Sequence, residues 1–334
     1  MNGEDVLSTQ SLARRSAIHY KNLLQGKKIL IIDEAQKVPD IGKILKLMVD
    51  EIEGIEIIVT GSSAFDITRY TGEPLTGRKK TFHLFPFSEL EYFELEQPHE
   101  KKEYLRHRLI YGNYPELIHL PDNKSKIEYL QELLNSYLLK DILTFENIRN
   151  SEKVLKLLQL VAFQVGSELS YNEIATQLGI SRNTVEKYLD LLSKVFVLHK
   201  VGGFSRNLRK EISKSSKWYF IDNGIRNVLI ANMNPLDLRN DVGQLWENYI
   251  ISERIKMQNY TSMLVYNYFW RTYDQQEIDW IEDKGGKLYA YEFKWNEKKK
   301  SKVPVAWKAT YPHSEFEVIT PSNYLRWIDN TNKH

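Results

Sequence analysis

The 334 residues are 42% hydrophobic and 27% charged, with a formal net charge of +2; a chain of that length and balance holds roughly two to four globular cores, and any nucleic-acid contact must rest on local patches rather than a global field. Cysteine is absent, which excludes disulfides, thiolate zinc sites and cysteine nucleophiles and fits an intracellular setting. No apolar run approaches the roughly 18 residues of a membrane span, and the polar start MNGEDVLSTQ is no secretory leader, so a cytoplasmic protein without membrane contact is expected.

Residues 1–26 read as helical, with Leu12, Ile18, Leu23 and Leu24 as core contacts and Gly26 as the stop. The apolar residues of Lys27–Gln36 (KKILIIDEAQ) then run straight into Asp33 and Glu34. A short unbroken apolar run is a strand buried on both faces, as in a parallel α/β sheet. Two acids at its carboxyl end stand at the crevice where such sheets bind ligands. One carboxylate there can hold Mg²⁺ against a nucleoside triphosphate while the other orients the attacking water. Ile41, Ile44, Leu45, Met48, Val49 and Ile52 form a helical stripe. Glu56–Thr60 (EIIVT) is a second strand, ending in Gly61-Ser62-Ser63, a polar tip suited to a γ-phosphate or the water.

Asp33-Glu34 with Gln36, Thr60-Gly61-Ser62-Ser63, Gly77-Arg78 and Pro86-Phe87-Ser88-Glu89 follow one another in the order of a known pattern. In these motifs the chain resembles the AAA+-type P-loop ATPases, in particular their prokaryotic "archaeal-type" branch. The resemblance implies that Asp33 binds Mg²⁺, Glu34 activates water and Thr60 or Ser62 senses the γ-phosphate of ATP. It also implies that Arg78 acts in trans on a neighbour, in a homo-oligomer or with a protein partner. The phosphate cradle of such ATPases, GxxxxGK[ST], occurs nowhere in the chain, and the nearest fragment, Gly26-Lys27-Lys28, lacks the hydroxyl residue. Residues 1–96 are therefore expected to be an N-terminally truncated AAA+ core without its P-loop, impaired in ATP hydrolysis. A hydrophobic face or edge of its sheet should be left unpaired.

Residues 97–150 read as helical, with a loop at Gly112-Asn113-Tyr114-Pro115. The resemblance makes them the lid that follows the ATPase core; a plain helical linker bundle is the competing reading. Residues 151–222 have the outline of a winged helix. Val154, Leu157, Leu158 and Val161 mark one helix, Ser170-Tyr171-Asn172-Glu173 is a capping box opening a second, and Gly179 ends it. Ser181 caps a third helix with Val185, Tyr188, Leu189 and Leu192 inward, and strands at Val195–Val201 and Lys217–Ile221 complete the shape. Arg182, Asn183, Thr184 and Lys187 on the third helix, with Arg206, Arg209, Lys210, Lys214 and Lys217 on the wing, are residue types that meet phosphates and base edges. Winged helices also serve as protein-interaction modules, so DNA and protein partners both stay open.

Residues 223–334 hold a second constellation. Val242–Lys256 is an amphipathic helix carrying Glu247, followed by strands at Met263–Trp270, Gln276–Glu282 and Lys287–Trp295, the last two joined at Asp283-Lys284-Gly285-Gly286. Asp279 lies on the second of these strands and Glu292 and Lys294 on the third, where period two puts the last pair on one face. A helix Glu, a strand Asp and Glu-x-Lys on the next strand resemble the PD-(D/E)xK nuclease superfamily. That resemblance implies Asp279 and Glu292 on Mg²⁺, with Lys294 steadying developing charge or helping to form hydroxide. Three charges in a β meander would be costly without a metal or ion-pair role; a nuclease fold kept as a structural or nucleic-acid-binding module is the alternative. Trp270, Trp280 and Trp295 read as core rather than as stacking platforms for bases.

The whole reads as a multidomain α/β protein: an incomplete parallel-sheet AAA+ core (1–96), a helical lid (97–150), a winged helix (151–222) and a PD-(D/E)xK-like domain (223–334). The function expected is that of an ATPase-family protein associated with DNA. A Mg²⁺-dependent nuclease and a non-catalytic DNA- or protein-binding module are the alternatives.

Overall fold

Short polar side chains punctuate this chain, and they set where its helices begin. Asp5 accepts from the Ser8 amide at 2.8 Å, Ser16 from His19 at 3.3 Å, Asp122 from Ser125 at 2.9 Å and Ser181 from Thr184 at 3.1 Å, each answering an N–H that the first helical turn leaves over. The computed structural model describes residues 1–61, 75, 77–92, 95–97, 101–138, 151–205, 216–299 and 301–329. It divides into two units, Met1–His83 and Leu84–His334.

In the first unit α1 (Val6–Leu12) and α2 (Ala17–Leu24) precede β1 (Ile29–Ile32), and α3 (Ile41–Glu51) connects β1 to β2 (Glu56–Val59). The strands pair in parallel, Ile29 opposite Glu56 through Ile32 opposite Val59. Leu30 and Ile32 face the stripe Ile41, Ile44, Leu45 and Met48 of α3 in one buried cluster, which Leu12, Tyr20 and Leu24 complete. The expected contacts Ile18 and Leu23 lie outside it, exposed at 74% and 37%, because α2 turns those positions away from the cluster. The sheet's other face carries Ile29, Ile31 and Ile58, each more than half exposed. An uncovered apolar face was expected of this sheet. The far edge of β1 is closed by the first residues. Asn2 bridges Asp33, the Gly3 amide donates to the Asp33 carbonyl at 2.7 Å, and the Asp33 amide donates to the Met1 carbonyl at 2.9 Å. A Cβ on Gly3 would stand 2.2 Å from the Glu34 carbonyl oxygen, so this approach needs glycine.

The second unit contains α4 (Glu89–Tyr92), α5 (Lys101–Tyr111), α6 (Asn123–Glu132), α7 (Ser151–Phe163), α8 (Tyr171–Leu178) and α9 (Arg182–Lys194). The hairpin of β3 (Leu198–Gly203) and β4 (Ser216–Phe220) follows, then α10 (Asn223–Leu229) and α11 (Val242–Tyr260). The chain finishes with β5 (Tyr266–Arg271), β6 (Glu277–Lys284), β7 (Lys287–Phe293), α12 (Val305–Thr310), β8 (Glu315–Ile319) and α13 (Tyr324–Ile328). Its mixed sheet runs β4-β3-β5-β6-β7-β8. The hairpin read from sequence as a wing is thus continuous with the C-terminal strands, β3 joining β5 in parallel through Gly202 and Gly203.

Helix α11 is buried almost throughout from Leu245 to Gln258, charged residues included. A buried polar network fixes it. Glu89 accepts from Arg108 at 2.7 Å, from the Tyr324 hydroxyl at 2.6 Å and from the Tyr249 hydroxyl, and its amide donates to Glu253 at 2.6 Å. The Gly112 loop is held on the same side, where the Asn113 amide donates to Asp222 at 2.7 Å. Gly112 has φ +78°, and a Cβ there would meet the Asp222 carboxylate at 2.0 Å. The Pro86-Phe87-Ser88-Glu89 motif and the Gly112-Asn113-Tyr114-Pro115 loop are both anchors of this second unit.

Candidate nucleotide-site remnant and acid–lysine cluster

Two sets of chemically able residues emerge, one in each unit. In the first, parallel pairing brings the carboxyl ends of β1 and β2 side by side. The Thr60 amide donates to the Ile32 carbonyl at 3.0 Å, the Ala35 amide to the Thr60 carbonyl at 3.0 Å, and the Thr60 hydroxyl to Asp33 Oδ1. Asp33 and Thr60 are solvent-exposed. Glu34 takes the left-handed conformation at φ +50°, uncommon for a non-glycine residue, and accepts from Gln36 Nε2 at 2.7 Å. The carboxylate and hydroxyl are the oxygen donors a Mg²⁺ ion takes. Arg78 pairs with Asp50 of α3. Ser62 lies outside the described residues. The GxxxxGK[ST] run whose backbone N–H groups cradle β- and γ-phosphates is absent from the sequence, so among the described residues the metal side of a nucleotide site fits and its usual phosphate cradle is not among them.

In the second unit the sequence candidates converge. Asp279 on β6 and Glu292 on β7 flank Lys294, whose ammonium lies 2.8 Å from Glu292 and 4.0 Å from Asp279. The Phe293 amide donates to Asp279 at 2.8 Å. Glu247 of α11 comes close enough that Asp279 and Lys294 each bear on its charge. Gly166, after α7, covers Glu247; a Cβ there would stand 3.1 Å from its carboxylate. Burial pushes the Glu247 carboxyl up to about 7, with Lys217 pulling against it and Asp279 adding to it. Burial likewise raises Asp279 and Glu292, against Lys217 and Lys294 for the first and Lys294 for the second.

Three members were not among the sequence candidates for this cluster. Lys217 was read as a wing cation meeting phosphate. It is instead buried in β4, paired with Glu277 and 3.8 Å from Glu247. Tyr219, two residues on, donates its hydroxyl to Glu247 at 2.7 Å. The only signal was a lysine alone among the aromatic residues of SKWYF. Among the described residues no three carboxylate or imidazole groups stand so as to hold a metal ion. Two ammonium groups, those of Lys217 and Lys294, sit among the acids. As it stands the cluster does not fit a divalent ion.

On α9, Arg182, Asn183 and Lys187 face solvent, and the Thr184 hydroxyl is shared with Ser181 at 2.8 Å. Arg206, Arg209 and Lys210 lie outside the described residues, as does Lys214. Trp270 and Trp280 are buried, and Trp295 packs on Trp246. Among the described residues no helix is long and apolar enough to cross a membrane.

Comparison with known proteins places an AAA domain over residues 2–93 and two domains of unknown function, DUF8612 over 102–237 and DUF4143 over 242–332. An uncharacterized protein of Mycobacterium tuberculosis is 24% identical over 271 residues, 80% of this chain and 58% of that one. An uncharacterized protein of Methanocaldococcus jannaschii is 26% identical over 246 residues, 69% of this chain and 53% of its own. One from Haemophilus influenzae is 24% identical over 280 residues, 79% and 65% respectively. The chain thus spans between about half and two thirds of the length of these relatives. No solved structure matches. Residues 2–93 are thus similar to an AAA domain, and inside that matched stretch Asp33 and Thr60 stand juxtaposed at the ends of parallel strands.

Proposed function

We propose that this chain belongs to an AAA-like, nucleotide-responsive protein associated with DNA, with its phosphate-binding element supplied by other sequence or by a partner. The observation that carries the reading is the Asp33–Thr60 pair at the carboxyl ends of adjacent parallel strands, within a stretch that matches an AAA domain. Asp33 is the residue to hold Mg²⁺ and Glu34 the one to orient a water. Thr60 is placed to sense a phosphate. Arg78, engaged with Asp50, would have to leave that exposed pair to reach a neighbouring subunit. Without a cradle for the phosphates the chain alone binds Mg-ATP no tighter than millimolar and does not turn it over. Calorimetry with Mg-ATP, using Asp33→Ala as control, tests this. Micromolar binding lost in that variant, or sustained turnover abolished by Glu34→Gln, sinks the expectation.

A second reading is favoured by the convergence of Glu247, Asp279, Glu292 and Lys294 in one buried cluster. Those four groups, drawn from a helix and two strands, are the donor set for phosphodiester cleavage, and the exposed Arg182 and Lys187 of α9 are residue types that meet a DNA backbone. Under it, DNA nicking should vanish in Lys294→Ala, and reversing Arg182 and Lys187 to glutamate should weaken DNA binding without touching the acids. Nicking that persists in Lys294→Ala excludes this site as its source.

A further inference from the structure

The acid cluster balances most of its charge from within. Its inner acids are Glu247, Asp279 and Glu292, with side chains 16%, 13% and 14% exposed, and they face the ammonium groups of Lys217 and Lys294. The two lysines differ. Lys294 is 28% exposed on its side chain, at the end of β7, with solvent to swing into. Lys217 is 2% exposed. It is delivered from β4, which carries none of the three inner acids, and its ammonium lies 5.3 Å from the centre of the Phe269 ring while pairing with Glu277 beside Glu247. An ammonium group stays charged in such a place only where carboxylates outweigh its lost hydration. Burial opposes the charge of Lys217, and Glu247 and Glu277 hold it in place.

A cation fixed at that point repels a divalent ion approaching the same carboxylates. We infer that Lys217 is a resident cation that keeps the acid cluster closed to divalent ions in the resting chain, and that the cluster admits one only when that charge is withdrawn. This rests on the second reading above, in which the acids are a phosphodiester-cleaving set.

The test is a Mn²⁺ titration of the whole chain followed by electron paramagnetic resonance, on the wild type, Lys217→Met and Lys217→Arg. Lys217→Met keeps the stem against Phe269 and removes the charge; Lys217→Arg keeps the charge. The wild type and Lys217→Arg should show no saturable binding below about millimolar Mn²⁺, and Lys217→Met should gain one site at least ~10-fold tighter, lost again when Asp279→Asn is added. Wild-type binding as tight as that of Lys217→Met overturns the lock and leaves the acids standing as an ion site. No binding in any variant, with circular dichroism unchanged, overturns the lock and the second reading together. Should Lys217→Met fail to fold, Lys217→Gln replaces it, and the wild-type titration decides the first point by itself.

Discussion

Glu282→Ala is expected to destabilise the second unit by about 3–5 kcal/mol, because it strands a buried guanidinium. Glu282 and Arg254 are both fully buried, joined through Arg254 Nε at 2.5 Å and Nη2 at 2.8 Å. Gln258 Nε2 at 2.8 Å, Trp280 Nε1 at 3.2 Å and Lys284 at 2.7 Å complete the shell of the carboxylate. Burial alone would raise the Glu282 carboxyl, but the Arg254 hydrogen bonds and charge hold it down at about 2. Its contribution is therefore fully present above the ordinary value of 4.5 and is lost as pH falls through about 2. Arg254 also donates to the Trp327 carbonyl and lies over that ring at 4.6 Å, so the pair ties α11 to β6 and to the last helix. Urea unfolding should show the loss in the single variant. The double variant Glu282→Leu/Arg254→Met should recover most of it, since an apolar pair of similar volume removes both charges together. A loss below about 1 kcal/mol in the single variant would mean that the pair is solvated in solution.

How much of this was legible in the sequence depends on whether a residue's partner is local. The strand inside Lys27–Gln36, the stripe on α3 and the acids after β1 follow from short-range pattern, and α3 and β2 formed within a residue of their expected limits. Glu247, Asp279, Glu292 and Lys294 were found because a hairpin and period two put three of them together without reference to the rest of the chain. What failed was long-range. Lys217 looked like surface charge because its wing neighbours are basic, yet β4 is buried on both faces and its partners lie 30 and 60 residues away. Helix α11 was read as amphipathic, whereas its polar side is a buried network reaching Glu89 and Glu282. Local periodicity does not distinguish solvent from a polar interior. Ile18 shows the converse, an apolar residue that helical spacing alone does not bury.

Glu247→Gln should remove a pH dependence on the order of 2–3 kcal/mol from the stability of the same unit. The Glu247 carboxyl is 16% exposed, and burial raises it from 4.5 to about 7. The folded state therefore holds a proton that the unfolded state releases. This contribution is fully present below 4.5 and disappears as pH rises through about 7. Asp279 and Glu292, raised as well, act in the same sense and leave a residual slope. Glutamine stays neutral and keeps an oxygen for the Tyr219 hydroxyl, so the variant should match the wild type near pH 4.5 and exceed it near pH 8. Equal slopes in denaturation midpoints across that range would mean that Glu247 is ionised throughout, held so by Lys217. The acids would then be charged in the resting protein, and the charge of Lys217 would be the main barrier to an entering ion. A lost slope puts a proton on Glu247 in the resting protein.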